Sequence, residues 1–187
     1  MTLVELATAV FEKAESMDVP HMAVGAIAAG AYGIPRATKD IDLLVSVDQS
    51  RGIHQLIDGL GLIVEFDLQA QFDTITWGRR YVGISRTAPP FKVELFEMFD
   101  DEFVRSEFAR RRRTYVPILG REVWLPGPED VIVQKLRWGR SKDLDDARDV
   151  LAVQGPETLD MAYIEHWCAT HGTSQRLKDA LESLPPL

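Results

Sequence analysis

The sequence predicts an α+β fold: a mixed β-sheet flanked by helices, followed by a C-terminal helical appendage. Three observations carry this. "DIDLLVSV" and "FKVELFEMF" are apolar, β-branched or aromatic runs bounded by turn formers, as buried strands are. "MTLVELATAVFEKAESMD" repeats its apolar residues at helical spacing. From Pro128 the pattern stays helical to the end, broken near "QGPETLD" and "HGTS". The 187 residues suffice for one ordinary domain with a small appendage. The expected division is an α/β region over 1–126 and a helical region over 127–187 packed on it.

In chain order, residues 2–17 form an amphipathic helix, with Thr2 and Glu5 spaced for a capping box. "HMAV" is a short strand, "GAIAAGAYG" is small and helix-compatible, and "DIDLLVSV" is a strand. Asp48 caps a helix that Gly61 ends after Leu60. "GLIVEF" and "DTITWGRRYVGISR" are strands with turns between them; "APP" interrupts, and "FKVELFEMF" resumes as a strand. "DDEFVRSEFARR" is a helix, and "TYVPILGREVWLP" is a hairpin turning at Gly120-Arg121.

Composition narrows the function classes. No apolar run is long enough to span a bilayer, and the N-terminal segment lacks a basic leader region, so no membrane partner is expected. A single cysteine excludes an internal disulfide and suits a reducing cytoplasm, the expected location. A net charge of −8 argues against a protein that coats DNA. It leaves room for a local basic site. "RSEFARRRR" is either a solvated helix end or a landing strip for a polyanion. "HWCATH" lacks a fourth zinc ligand, and the tryptophans, Trp138 among them, read as core.

The chemistry concentrates in "GIPRATKDIDLLV". On a strand, Asp40 and Asp42 point the same way and Ile41 and Leu43 the other. Two adjacent carboxylates on one face repel unless a cation, hydrogen bonds or a proton reconcile them. Either they sit in water at a strand mouth, or they bind an oxygen-seeking ion such as Mg²⁺ or Mn²⁺. Upstream, Gly25, Ala26, Ala28, Ala29 and Gly30 are small enough for backbone to approach a ligand, and a helix starting there aims N–H groups at phosphate. Arg36 and Thr38 are placed to bind phosphate or to brace the strand. Glu94, between Val93 and Leu95, supplies a third carboxylate on a second strand and would complete a metal set with Asp40 and Asp42.

Together these residues resemble the polymerase-beta-like nucleotidyltransferase superfamily, with its small-residue turn, its aspartate-x-aspartate strand and a later acid on another strand. "VGAIAAGAYGIPRATKDIDLLV" is similar to a prokaryotic branch that includes toxins of toxin–antitoxin pairs and abortive-infection proteins. "GPEDVIVQKLRWGRSKDLDDARDVLAV" looks like that branch's later motifs, so the likeness spans about residues 20 to 150. The resemblance implies metal-dependent transfer of a nucleoside monophosphate from an NTP to a hydroxyl. Asp40 and Asp42 would hold Mg²⁺ or Mn²⁺. Glu94 would share a second ion and help deprotonate the acceptor. Lys135 would contact the triphosphate, with Asp143 or Asp146 supporting the site. Read without the resemblance, Lys135 faces solvent or pairs with Glu129 or Asp130, and Asp143, Asp145 and Asp146 with Arg140, Lys142 and Arg148 make surface ion pairs.

Two positions depart from the family pattern. Ala26 stands where glycine or serine is usual, which removes a hydroxyl contact to phosphate, and Glu94 stands where aspartate is usual. A catalytically quiet nucleotide- or partner-binding member is therefore the alternative reading. For an active enzyme the acceptor is RNA, a protein hydroxyl or a small molecule. The toxin likeness implies tRNA, received by Arg110, Arg111, Arg112 and Arg113, with an antitoxin protein as partner; a cationic small molecule of the aminoglycoside kind suits the acidic balance better.

Overall fold

The computed structural model describes residues 1–46, 52–73 and 78–184. Helix α1 (Leu3–Ser16) opens with the expected reciprocal cap between Thr2 and Glu5 and buries Leu6, Ala7, Val10, Phe11 and Ala14 along one stripe. Strand β1 (His21–Ala23) and helix α2 (Gly25–Tyr32) lead into β2 (Asp40–Val45). Then come α3 (Gly52–Leu60), β3 (Val64–Phe66), the two-residue β4 (Gln71–Phe72), β5 (Arg79–Ser85) and β6 (Lys92–Glu97). The expected cap at Asp48, and Trp77, lie outside the described residues.

Among the described residues the main sheet runs β1-β2-β6-β5-β3, with β4 added to β5. It is mixed: β2 and β6 are parallel at the centre, and the flanking pairs are antiparallel. The parallel register sets Asp40 beside Lys92 and Asp42 beside Glu94. On the other face of β2, Ile41, Leu43 and Val45 are fully buried. Burial of each such side chain contributes roughly 1.5–3 kcal/mol, enough to anchor a strand that carries two acids on its opposite face.

Helix α4 (Glu102–Ala109) is capped by Asp101, whose side chain accepts from the Val104 N–H. The expected hairpin forms from β7 (Arg112–Val116) and β8 (Arg121–Leu125). Its connection is longer than a two-residue turn, a 3₁₀ turn over Pro117–Leu119 closed by Gly120. The tail holds α5 (Pro128–Trp138), α6 (Ser141–Gln154), α7 (Met161–Thr170) and α8 (Ser174–Glu182). The breaks near "QGPETLD" and "HGTS" are present. A third break, at Gly139, goes beyond the sequence expectation. Gly139 ends α5 at φ +66°, and α6 folds back along α5. Both helices also pack on α2, which brings the tail to the acidic strand.

Candidate active site

Gly25 opens α2 at φ +62°, and a Cβ there would lie 2.1 Å from Asp42 Oδ2. Only glycine lets the helix N-terminus come this close to the acid. The Thr38 hydroxyl accepts from the Asp40 N–H at 3.1 Å and so braces the strand where the carboxylates begin. Asp42 Oδ1 is sealed from solvent and has no hydrogen-bond partner among the described residues. Burial, then the neighbouring Glu94 and Asp40 carboxylates, push the Asp42 carboxyl up to about 7, against the pull of Lys92 and Lys135.

Asp40, Asp42 and Glu94 line one cavity of about 230 Å³. It adjoins a smaller recess against Gly25, Ala26, Arg36 and Thr38, and the two share Asp40, Asp42, Trp138, Arg140 and Lys142. Acids form one wall, the α2 N-terminus the back and cations the opposite wall.

Glu94 is paired with cations of its own chain. Lys92, two residues earlier on the same face of β6, places its Nζ 2.7 Å from Glu94 Oε2 and 3.6 Å from Asp40 Oδ1. Arg80, from β5, places Nη1 3.0 Å from Glu94 Oε1. Both oxygens of Glu94 are thus engaged by the chain's own cations. Among the described residues no three carboxylate, imidazole or thiolate groups are gathered to hold one ion.

Lys135 lines the smaller recess and is paired within the chain. It is buried, 3.2 Å from Asp143 Oδ1 and 2.7 Å from Asp146 Oδ2. Arg36 makes a bidentate pair with Asp146 at 2.8 and 3.0 Å, and Arg140 Nε lies 2.5 Å from Asp143 Oδ2. The result is a relay, Arg36–Asp146–Lys135–Asp143–Arg140, of three cations to two anions. Burial pushes Asp146 up, but hydrogen bonds from Arg36 and Lys135 outweigh it and hold its carboxyl below the usual range. Lys142 has no ion pair among the described residues and adds its charge to the shared wall. Asp143 and Asp146 therefore reach the site through other residues, and Arg140 and Lys142 face it directly. Trp138 is a wall of the site rather than core, and Arg140 stacks over its ring at 4.8 Å.

The arginine run is divided. Arg110 stacks on Tyr163 at 4.0 Å and pairs with Glu129 and Asp130. Arg111 lies over Phe108 and Trp124, and Arg112 over Tyr32. Arg113 pairs with Glu15 at 2.7 Å. The helix ends at Ala109 and Arg112 already belongs to β7, where successive side chains alternate faces. The four do not form one open basic strip.

Some site residues were readable and missed. Lys92 shares a face with Glu94 by simple alternation, and Gly139 followed by Ser141 is a helix-stop and helix-start signal that exposes Arg140 and Lys142. Arg80 carries no local signal, because only strand pairing brings it to Glu94.

No family model and no curated protein matches the chain. Solved structures do. The crystal structure of ANT(2'')-Ia in complex with adenylyl-2''-tobramycin superposes with a TM-score of 0.61 at 14% identity, over 94% of this chain and 99% of that one. The solution structure of the same antibiotic-resistance factor gives 0.59 at 14% identity, over 96% and 94%. An antigenic nucleotidyltransferase-like protein from Paracoccidioides brasiliensis gives 0.56 at 21% identity, over 99% and 94%. The chain has the nucleotidyltransferase fold. At these identities the likeness is one of fold. In that fold Asp40, Asp42 and Glu94 fall on the two central parallel strands and α2 lies behind them.

Proposed function

We propose that the protein is a metal-dependent nucleotidyltransferase that moves a nucleoside monophosphate from an NTP to a hydroxyl acceptor. The observation that carries this is Asp42 Oδ1, a sealed carboxylate oxygen with no partner among the described residues, beside Asp40 and the α2 N-terminus. A divalent cation is the chemical complement of that pair. Asp40 and Asp42 would hold Mg²⁺ or Mn²⁺, which when bound supplies positive charge to phosphate oxygens.

The chain's own groups do the rest. The N–H groups at Gly25 and Ala26 bind phosphate oxygens, which the missing serine hydroxyl at position 26 does not prevent. Arg140 and Lys142 face the departing pyrophosphate and balance its charge. The buried relay fixes Arg140 and the Arg36 loop, so Asp143 and Asp146 act as positioning residues, while Lys135, on the wall of the recess, faces the phosphates with Arg140 and Lys142. Glu94, aimed by Lys92 and Arg80, orients the acceptor hydroxyl for attack on the α-phosphorus and takes up its proton. The bond from phosphorus to the pyrophosphate oxygen breaks as the new one forms.

A small cationic polyol is the favoured acceptor. Arg110 and Arg113 are committed to carboxylates, Arg111 and Arg112 to aromatic faces, and the chain is acidic overall. One solved neighbour, ANT(2'')-Ia, is captured with adenylyl-2''-tobramycin, in keeping with this choice. tRNA is the other acceptor to test. The experiment incubates the protein with α-labelled NTPs, Mg²⁺ or Mn²⁺, and either aminoglycosides or bulk tRNA, alongside Asp42→Ala. Label should pass to the small acceptor and vanish in the variant. Equal labelling by both proteins refutes transfer at this site, and tight NTP binding with no transfer to any acceptor marks a quiet member.

A further inference from the structure

We propose that Lys92 takes the place of a second divalent cation, so that the site works with a single metal ion held by Asp40 and Asp42. The inference rests on the nucleotidyltransferase reading and sharpens it. A second ion would need Glu94 together with Asp40 or Asp42. The Lys92 ammonium already joins two of those, lying 2.7 Å from Glu94 Oε2 and 3.6 Å from Asp40 Oδ1. Arg80 Nη1 takes the other Glu94 oxygen at 3.0 Å.

The placement is built into the fold. Lys92 pairs laterally with Asp40 in the parallel register of β2 and β6, and its backbone N–H donates to the Lys39 carbonyl at 2.9 Å. Alternation then sets its side chain on the same face as Glu94, one step along β6. A lysine at this position reaches both acids.

Charge counting points the same way. Asp40, Asp42 and Glu94 carry three negative charges, and Lys92 and Arg80 return two. One divalent ion at Asp40 and Asp42 leaves this group of five with a single positive charge, suited to the triphosphate. A second would press a divalent ion against an ammonium and a guanidinium that share its ligand, a like-charge contact in a partly buried site. The glutamate in place of aspartate fits as well, since its extra methylene lets the carboxylate reach the two cations.

The test counts Mn²⁺ by electron paramagnetic resonance, using the α,β-methylene analogue of each of the four common NTPs and correcting for Mn²⁺ held by analogue alone. Wild type, Lys92→Ala, Lys92→Arg and Asp42→Ala are compared, with circular dichroism confirming that each is folded. Wild type and Lys92→Arg should bind one Mn²⁺ per bound analogue. Lys92→Ala should bind two, or bind a second at least about tenfold more tightly than wild type does. Two ions in wild type, or one with unchanged affinity for a second in Lys92→Ala, overturns the inference and leaves the transferase reading standing. If wild type binds no more Mn²⁺ than Asp42→Ala with any analogue, the transferase reading fails and the inference falls with it.

Discussion

Asp42 sits in a conflict that the chain alone does not resolve. Its Oδ1 is sealed and without a partner among the described residues, and burial with the neighbouring Glu94 and Asp40 pushes its carboxyl up to about 7. The folded state binds that proton more tightly than the unfolded state. Its contribution to stability is therefore full below the ordinary aspartate value of 3.8 and declines as pH rises toward about 7. Asp42→Asn removes the buried charge. Nucleotidyl transfer should fall at least about a hundredfold, since losing a metal ligand costs no less than losing a group behind one. Without metal at pH 8, the same variant should melt at least about 2 °C higher than wild type, the shift that roughly 1 kcal/mol gives in a chain of this size. A calorimetric scan beside a transfer assay checks both signs. At Gly25 the expectation reverses. Gly25→Ala sets a Cβ against Asp42 Oδ2 at a left-handed backbone position, and should lose about 1–2 kcal/mol of stability together with most transfer activity.

At the scale of elements, the break between α5 and α6 builds the wall opposite the acids. Gly139 stops one helix, and the reversal lets Lys135 meet Asp143 and Asp146. A Cβ at Gly139 would collide with the Arg176 guanidinium at 2.2 Å, and that guanidinium donates to the Leu136 carbonyl at the end of α5. Gly139→Ala should cost about 1–2 kcal/mol for the left-handed backbone. Urea denaturation reads that loss, and a raised KM for NTP with transfer otherwise retained reads the loosened wall. Elements with strong local chemistry were legible in the sequence. The Thr2 and Glu5 cap, the alternation of β2 and the hairpin closed by Gly120 all depend on neighbours a few residues apart. Gly139 carries a weak signal because a lone glycine inside a helical pattern is often tolerated.

For the whole molecule, the mixed sheet was foreseen, whereas the partners of its acids were not. That Lys92 and Arg80 engage Glu94 depends on which strands lie side by side, and no local pattern fixes the order β1-β2-β6-β5-β3. The committed state of Arg110 and Arg113 was invisible for the same reason, since Glu129 and Glu15 reach them from distant helices. Burial also leaves a global pH signature. Glu107, on α4 at the wall of an inner cavity of about 50 Å³, is pushed well above the usual glutamate value by burial and then by Asp130 and Asp101, against Arg137. Its folded form keeps the proton that the unfolded form releases, so stability drains away as pH rises above about 4.5, at up to about 1.4 kcal/mol per unit. Glu107→Gln should flatten that decline, measured as a smaller loss of denaturation free energy between pH 5 and pH 8.

The pair of Arg36 and Asp146 ties together positions 110 residues apart. Severing the backbone after Pro126 would leave the front portion with its acids but with Arg36 grasping at nothing, and the rear portion with Lys135, Asp143 and Asp146 and no partner from the front. Neither fragment would hold the whole candidate site. Mixed in one tube, the two pieces should regain activity only as a reconstituted pair, and a graft of the front half onto another protein would carry the acids without the clasp that shapes their opposite wall.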